Sequence, residues 1–473
     1  MCGGEPPLRF RCWDGSELVP SCCEPGAADA DGREPATDVP EAAAGGTATA
    51  SAGSDEARET TIVITSPNAI RRILWQPNEL GFSRAYVAGE IDVDGDIWSL
   101  FRLQALLSHP DRPNGLGAKT EGGRRLLVAA RAVGALGRPL EPPPEEARMS
   151  GRLHTRDRDA QAVAHHYDVS NDFYQLFLGE SMTYSCAYFP TPDTPLADAQ
   201  RAKHDLICRK LGLRPGMRLL DVGCGWGGMV LHAVRNYGVE AVGVTLSQRQ
   251  VDHGREAVAA AGLGDRIDIR FQDYRDVSDG PFDAVSSVGM VEHVGAAQLP
   301  EYFSSLYGQL RPGGRLLNHG ICWPRGSRGL DPKSFMAHYV FPDGELHEVG
   351  IVIQAMQAEG FEARDDESLR EHYALTLRHW VRNLEEHWDE AVGIAGAGRA
   401  RVWRLYMAGS ARNFEMGNIT VHQVLGVRPH ADGRSEMPLT RAALLDPAPA
   451  GSPEHETASR GTNRRDHAAQ GQM

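Results

Sequence analysis

Hydrophobic and polar positions along this chain fall into blocks whose period changes several times. Leu8-Arg9-Phe10-Arg11-Cys12-Trp13 alternates with a period of two and closes at Asp14-Gly15-Ser16, which predicts a strand and a turn. Between 21 and 58 large apolar side chains almost vanish among Ala, Gly, Pro, Asp and Glu. Such a segment cannot offset the entropy of ordering and is expected to be disordered. Order resumes at Thr61-Ile62-Val63-Ile64, a second strand, followed by a helix from Pro67 to Trp75 and an apolar stretch through Tyr86, Val87, Ile91 and Val93. Helical periodicity at Ile97–Leu107 and Arg124–Leu136 completes a small N-terminal α+β domain over residues 1–150. Within it the acidic stretch is an inserted loop, and 137–150, with Pro142-Pro143-Pro144, is the linker.

From Asp159 the rhythm becomes α/β. Strands are predicted at 217–222, 239–246, 266–271, 282–288 and 314–320, separated by helix-length segments. That alternation signals a parallel sheet covered by helices on both faces. Residues 321–415 read as mostly helical and aromatic, a lid or substrate tunnel, and 419–427 as a last strand at the sheet edge. This second domain spans 151–430, and the polar residues 431–473 read as a disordered tail.

The chemistry centres on Leu219-Leu220-Asp221-Val222-Gly223-Cys224-Gly225-Trp226-Gly227-Gly228, an apolar strand entering a glycine-rich turn that opens a helix at Met229–Asn236. Such glycines let the backbone turn tightly and approach a ligand, although the same turn also serves without one. A dinucleotide site would place an acid about 20 positions on, at the tip of the next strand. Here that tip is Thr245-Leu246-Ser247-Gln248-Arg249-Gln250, and the sixth position of G-x-G-x-x-G is not glycine. Both departures argue against NAD, whereas Asp221 just before the glycines gives the pattern of S-adenosylmethionine methyltransferases.

Composition narrows the class further. Hydrophobic residues at 41% and charged residues at 24% suit a soluble enzyme, and no stretch reaches the roughly 18 apolar residues of a membrane span. Met1 is followed by Cys2 and Glu5 rather than a basic and apolar leader, so a cytoplasmic chain is expected. Half of the net charge of −14 sits in residues 21–60, where nine acids face only Arg33 and Arg58. An acidic bulk argues against nucleic-acid binding. Arg71-Arg72, Arg124-Arg125 with Arg131, and Arg201 to Lys210 are the local basic clusters, each also readable as a solvated helix face. The eight cysteines form no C-x-x-C pair and the 18 histidines no H-E-x-x-H, so neither a disulfide framework nor a metal site is expected. His165-His166 lacks a third ligand at a sensible spacing.

Several further segments stand in order: His166-Tyr167-Asp168-Val169-Ser170-Asn171-Asp172-Phe173-Tyr174, Met182-Thr183-Tyr184-Ser185-Cys186-Ala187-Tyr188-Phe189, Gly243-Val244-Thr245-Leu246-Ser247, Asp273-Tyr274-Arg275-Asp276 and Ser287-Val288-Gly289-Met290-Val291-Glu292-His293-Val294-Gly295. Together with the glycine run they make residues 160–430 resemble the cyclopropane-fatty-acyl-phospholipid synthases and mycolic acid cyclopropane synthases. The resemblance implies a class I methyltransferase-like α/β fold, a doubly wound and mostly parallel sheet with helical lid insertions. It implies methyl transfer from S-adenosylmethionine to the double bond of an unsaturated phospholipid acyl chain, then deprotonation and closure to a cyclopropane. The base implied is a bound bicarbonate, held by Cys186, Glu292, His319, the backbone of Ile321 and Tyr373. Cofactor positions carried over are Tyr184, Ser185, Asp221, Gly223, Gly225, Gly227, Thr245, Gln250, Asp273 and Tyr274. A peripheral contact with the inner face of the membrane is implied too, and a homodimer is compatible with it.

Each site residue has a structural reading beside the functional one. Cys186 reads also as a small buried hydrophobe, Glu292 as a helix cap, His319 as a strand-end histidine and Tyr373 as core packing. Trp226 and Tyr274 either stack on a ligand or pack, with stacking favoured for Tyr274 alone. Asn318-His319-Gly320-Ile321-Cys322 departs from the family's usual segment, and Gly320 is expected to add flexibility beside the anion site. Asn413-Phe414-Glu415-Met416-Gly417-Asn418 departs as well, which raises a methylene-branched product as the rival outcome. A lipid-binding module and a small-molecule methyltransferase are the remaining readings, the long aromatic segment favouring lipid over the latter.

Overall fold

Alternation at the start of the chain produces a short strand, β1 (Arg9–Cys12), which turns at Gly15 into β2 (Glu17–Leu18). β3 (Thr61–Ile64) lies parallel to β1 and β4 (Ile91–Asp94) antiparallel to β3, so one sheet runs β2-β1-β3-β4. Between the last two strands come α1 (Pro67–Trp75), capped by the Ser66 hydroxyl, and α2 (Glu79–Val87), capped by Asn78. The computed structural model describes residues 9–18, 60–101, 128, 130–132, 134–147, 158, 169–324, 326, 331 and 333–445. The predicted insert at 21–58, half of the residues in the helices predicted at Ile97–Leu107 and Arg124–Leu136, His165-His166, and residues 446–473 of the expected tail lie outside the described residues. The chain divides into two units, Met1–Pro143 and Pro144–Met473.

In the second unit the central strands carry apolar side chains on both faces, which draws helices to both. β5 (Arg218–Val222) sends Leu219 to one face and Leu220 with Val222 to the other. β6 (Glu240–Thr245), β7 (Ile267–Phe271) and β8 (Phe282–Val288) lie parallel to it. The strand predicted at 314–320 is the middle of a much longer one, β9 (Leu310–Trp323), against whose end the short β10 (His347–Glu348) pairs. β11 (Glu362–Ser368) and β12 (Thr420–Val427) finish the path β11-β12-β9-β8-β5-β6-β7.

α3 (Asn171–Leu178) precedes the sheet. α4 (Leu196–Leu211), α5 (Gly228–Tyr237) and α6 (Gln248–Ala260) pack on the face that holds Leu219, Ala241, Ile269 and Leu317. α7 (Leu299–Gln309) packs on the opposite face, with Leu220, Val242, Val285 and Leu316. After the short α8 (Phe335–Tyr339), α9 (Val349–Ala358) joins that second face through Val352 and Met356. α10 (Arg370–Glu386), α11 (Trp388–Ala395) and α12 (Ala397–Glu415) bring the aromatic residues expected of the lid.

Three expectations are corrected. β12 is not an edge strand: it lies antiparallel between β9 and β11. The edge is β11, whose Glu-Ala-Arg-Asp-Asp-Glu-Ser sequence hides a period of two carried by acids rather than apolar residues. Asp365 and Glu367 turn inward, where the buried Lys210 ammonium meets them at 3.4 and 2.5 Å and Arg441 reaches Asp365 at 2.5 Å. Arg201 to Lys210 is accordingly no solvated face, since Lys203 and Lys210 are both buried. Residues 431–445, expected to be disordered, are ordered: they form a turn and the short α13 (Ala442–Leu445), Glu436 pairs with Arg311 and Leu444 is buried.

Removing one partner of a buried ion pair leaves the other charge uncompensated. Lys210→Ala should lower unfolding free energy by about 3 kcal/mol in urea denaturation, since Asp365 would keep only Arg441 and Glu367 would lose its Lys210 partner.

Candidate functional site

A cleft opens at the carboxyl ends of β5, β6 and β7, lined by Met182 to Ser185, Asp221 to Trp226, Thr245, Gln250 and Gln272 to Arg275. The turn after β5 needs positive φ at Gly223 (75°) and Gly225 (54°), the left-handed region that glycine enters without penalty. Gly223 also has no room for a side chain, since a Cβ there would overlap the Met290 sulfur. The Gly223 and Cys224 amides both donate to the Val244 carbonyl, at 2.9 and 3.0 Å, which fixes the turn onto β6. Asp221 is buried beneath it, accepting the Ser286 hydroxyl at 2.5 Å, and burial pushes its carboxyl up to about 6.

At the tip of β6 the Thr245 hydroxyl donates to Gln250 Oε1 at 2.6 Å, and Ser247 caps α6. Beyond β7, Arg275 grips Asp273 through two bonds of 2.8 and 2.6 Å and lies over the Tyr274 ring at 5.4 Å. Nine of the ten residues expected to hold the cofactor line this cleft. Gly227 does not: with φ of 89° it starts α5, and a Cβ there would stand 2.9 Å from Ile269 Cδ1, so it is glycine for packing and backbone geometry. Trp226, like Tyr274, lines the cleft, its ring 4.9 Å from Tyr174 and its indole N–H donating to Asn171.

The pairing of β12 links the chain segments that carry the five residues expected around the anion. Val421 lies opposite Ile321 and Gln423 opposite His319, and the Val421 carbonyl accepts the Leu369 amide at 2.9 Å. Leu369 in turn is the point where Cys186 and Tyr373 arrive. Its carbonyl accepts the Tyr373 amide at 3.1 Å and faces the Cys186 thiol at 3.7 Å. From the other side Glu292, in a 3-10 turn just past β8, accepts the Ile321 amide at 2.7 Å. Glu292 is therefore no helix cap. Its second oxygen, Oε2, is buried without a partner.

Burial pushes the Glu292 carboxyl up to about 7, against the opposing Ile321 bond. His319 is driven down to about 3, by burial first and then by Lys203 and Lys210, so its ring is neutral. Gln423 Nε2 lies 3.1 Å from His319 Nδ1, and Gln423 Oε1 and His319 Nε2 are both buried without partners. The amide thus donates to Nδ1, which leaves Nε2–H as an unspent donor. Burial raises the Cys186 thiol well above its ordinary range, which makes it a neutral donor rather than a nucleophile. Gly320 adds no flexibility here. It is paired inside the sheet, and a Cβ would collide with Val291 Cγ1.

An aromatic cluster packs beside the cleft. Tyr174, Phe177, Tyr184, Trp380 and Trp403 lie ring to ring, Tyr184 stacked on Trp380 at 5.2 Å and Trp380 edge-on to Tyr373 at 6.1 Å. Tyr184 and Tyr406 share a hydroxyl hydrogen bond of 2.8 Å. Sequence reasoning missed Tyr406, Gln423 and Lys203. Lys203 carried a signal, because it falls in the helical row Ala199-Lys203-Leu206-Lys210, every member of which is buried. Tyr406 and Gln423 carried none, since their neighbours come from distant elements.

The family model of mycolic acid cyclopropane synthetases matches residues 154–424. A probable fatty acid methyltransferase of Mycobacterium tuberculosis is 44% identical over 399 residues, 82% of this chain and 91% of its own length. The tuberculostearic acid methyltransferase of the same organism is 36% identical over 80% of this chain and 85% of itself. Among solved structures, the mycolic acid cyclopropane synthase CmaA1 complexed with S-adenosylhomocysteine superposes with a TM-score of 0.53 at 35% identity, covering 56% of this chain and 97% of that one.

A carboxyl whose pKa rises on folding stabilises the fold below its unfolded value, near 4.5, and loses that contribution as pH climbs through about 7. Glu292→Gln removes the term. The variant should gain stability relative to the parent between pH 5 and pH 8, by on the order of 1–3 kcal/mol, in denaturant titrations at the two pH values.

Proposed function

Because this chain belongs to the mycolic acid cyclopropane synthetase family of S-adenosylmethionine-dependent enzymes, we propose that it methylates the double bond of an unsaturated membrane-phospholipid acyl chain and closes a cyclopropane ring there. Methyl transfer to a lipid acyl chain is the activity common to the family; the phospholipid carrier, the ring closure and a bicarbonate base are this reading's additions. Among the described residues no helix is long and apolar enough to cross a membrane, so the substrate would be met by peripheral contact.

S-adenosylmethionine supplies an electrophilic sulfonium methyl, and the cleft residues Ser185, Asp221, Thr245, Gln250 and Asp273 would hold it. An alkene is a weak nucleophile, so water must be excluded and the reacting carbons held in line. Tyr184, Trp380, Trp403 and their neighbours do the first and offer π faces to positive charge developing on the acyl chain.

Removal of a proton from the new methyl group needs a base in a dry site, which is the chemistry a bound bicarbonate would supply. The residues fit that anion. Two buried polar atoms without partners, Glu292 Oε2 and His319 Nε2, belong to residues held at the same stretch of β9, Glu292 through the Ile321 amide and His319 two positions before it, and this is the observation that carries the reading. A neutral Glu292 carboxyl offers O–H and neutral His319 offers N–H, so both can donate to an anion where a carboxylate would repel it. The Ile321 amide holds Glu292 in place, while Cys186 and Tyr373 arrive at Leu369 beside it.

A second reading is a methylene-branched product, and the relatives that match 82% and 80% of this chain are named for methyl transfer to fatty acids without ring closure in the name. The divergent Asn413–Asn418 segment bears on the same point, since Phe414 packs on Tyr373 at 4.7 Å.

Mass spectrometry and proton NMR of lipids from a host expressing the protein should show a gain of one CH₂ with cyclopropyl proton signals. The same gain with exocyclic methylene signals would replace the first reading by the second, and no gain would overturn both. Glu292→Gln should bind S-adenosylhomocysteine as the parent does while turnover falls by roughly 10²–10⁴; unchanged turnover would remove Glu292 from the chemistry.

A further inference from the structure

The cofactor cleft holds a charge that the family comparison leaves unassigned. Lys203 lies on α4 with its side chain fully buried and its ammonium at the cleft wall. Among the described residues it forms one hydrogen bond, to the Ser185 hydroxyl at 2.9 Å, and no ion pair. An ammonium carries three donors, so two remain unspent in a place where water is scarce. Asp221, on the same cleft, is its counterpart: buried, bonded to the Ser286 hydroxyl and joined to no cation. Each charge feels the other without touching it.

A lone buried cation and a lone buried anion are each costly, and they persist where a ligand satisfies both. The complementary ligand presents a carboxylate and an ammonium on one carbon, an α-amino acid end. Asp273 and Tyr274 lie two strands away, past β7, at the other end of the cleft, which leaves this end for such a terminus. The wall is also rigidly built. One turn before Lys203, the Gln200 amide donates to the Thr183 and Ser185 carbonyls at 3.3 and 2.9 Å, so α4 fixes the 183–185 segment and the ammonium together.

We propose that Lys203 anchors the carboxylate of the amino-acid end of S-adenosylmethionine, with Asp221 facing its ammonium. This rests on that cofactor occupying the cleft and not on the fate of the acyl chain. The anchor sets how far the sulfonium methyl projects toward the aromatic shell, which makes Lys203 a residue for cofactor specificity as well as affinity.

Isothermal titration of the full chain with S-adenosylhomocysteine and with its decarboxylated analogue tests this directly. The parent should prefer the intact ligand by about ten- to hundred-fold, the weight of one charge-assisted contact. Lys203→Met should lose that preference through weaker binding of S-adenosylhomocysteine, with affinity for the decarboxylated analogue unchanged and Lys203→Arg retaining part of the preference. Equal losses for both ligands in Lys203→Met, or an undiminished preference, would overturn the proposal. Should the methionine variant not fold, the parent alone decides, since equal binding of the two ligands would exclude a carboxylate anchor. A parent that binds neither would instead remove the cofactor assignment on which the proposal stands.

Discussion

The pairing of β12 with β9 is the constraint on which the proposed anion site depends. Period-two geometry means that a slip of one residue would turn every side chain of β12 to the opposite face. In the observed register Gln423 faces His319 and fixes its tautomer, while Val421 faces Ile321 and carries Leu369 on its carbonyl. Leu369 brings Cys186 and Tyr373 with it. One antiparallel ladder thus converts four distant stretches of chain into a single group, and Glu292 closes it from β8 through the Ile321 amide.

Around that ladder the protein keeps ionisable groups in unusual states by withholding solvent rather than by pairing them. Asp221, Glu292 and Lys203 are buried with few partners, and His319 is neutral because nothing near it favours a charge. Desolvation is the first cause in all four, so their protonation depends on a dry interior more than on any one neighbour. Aromatic residues from α3, α10 and α12 supply that dryness. The arrangement suits the proposed chemistry, in which a cation forms beside a hydrocarbon and a proton must leave in one direction.

Much of this was legible in the sequence wherever one local rule governed the outcome. The helix at Pro67–Trp75, the strand at Phe282–Val288 and the glycine turn follow from capping, apolar runs and backbone freedom. The misses share a different cause. β11 was hidden because acids take the inward positions that apolar residues usually hold, and Lys203 because a lysine on a helix is normally solvated. The packing demands on Gly227 and Gly320 were illegible because their neighbours, Ile269 and Val291, come from other elements. Distance along the chain, rather than weak propensity, set the limit.

The acidic alternation of β11 carries a consequence for association. A sheet edge is a template on which another chain can extend the ladder, and natural proteins blunt it with charge. Here the last strand presents Arg364 and Asp366 outward and commits Asp365 and Glu367 inward to lysine and arginine. A second copy aligned antiparallel about Asp365 would bring that carboxylate against its own counterpart and compete for the cations already engaged. The sheet is therefore terminated chemically as well as geometrically, and self-assembly of this chain is steered away from end-to-end growth of its own sheet.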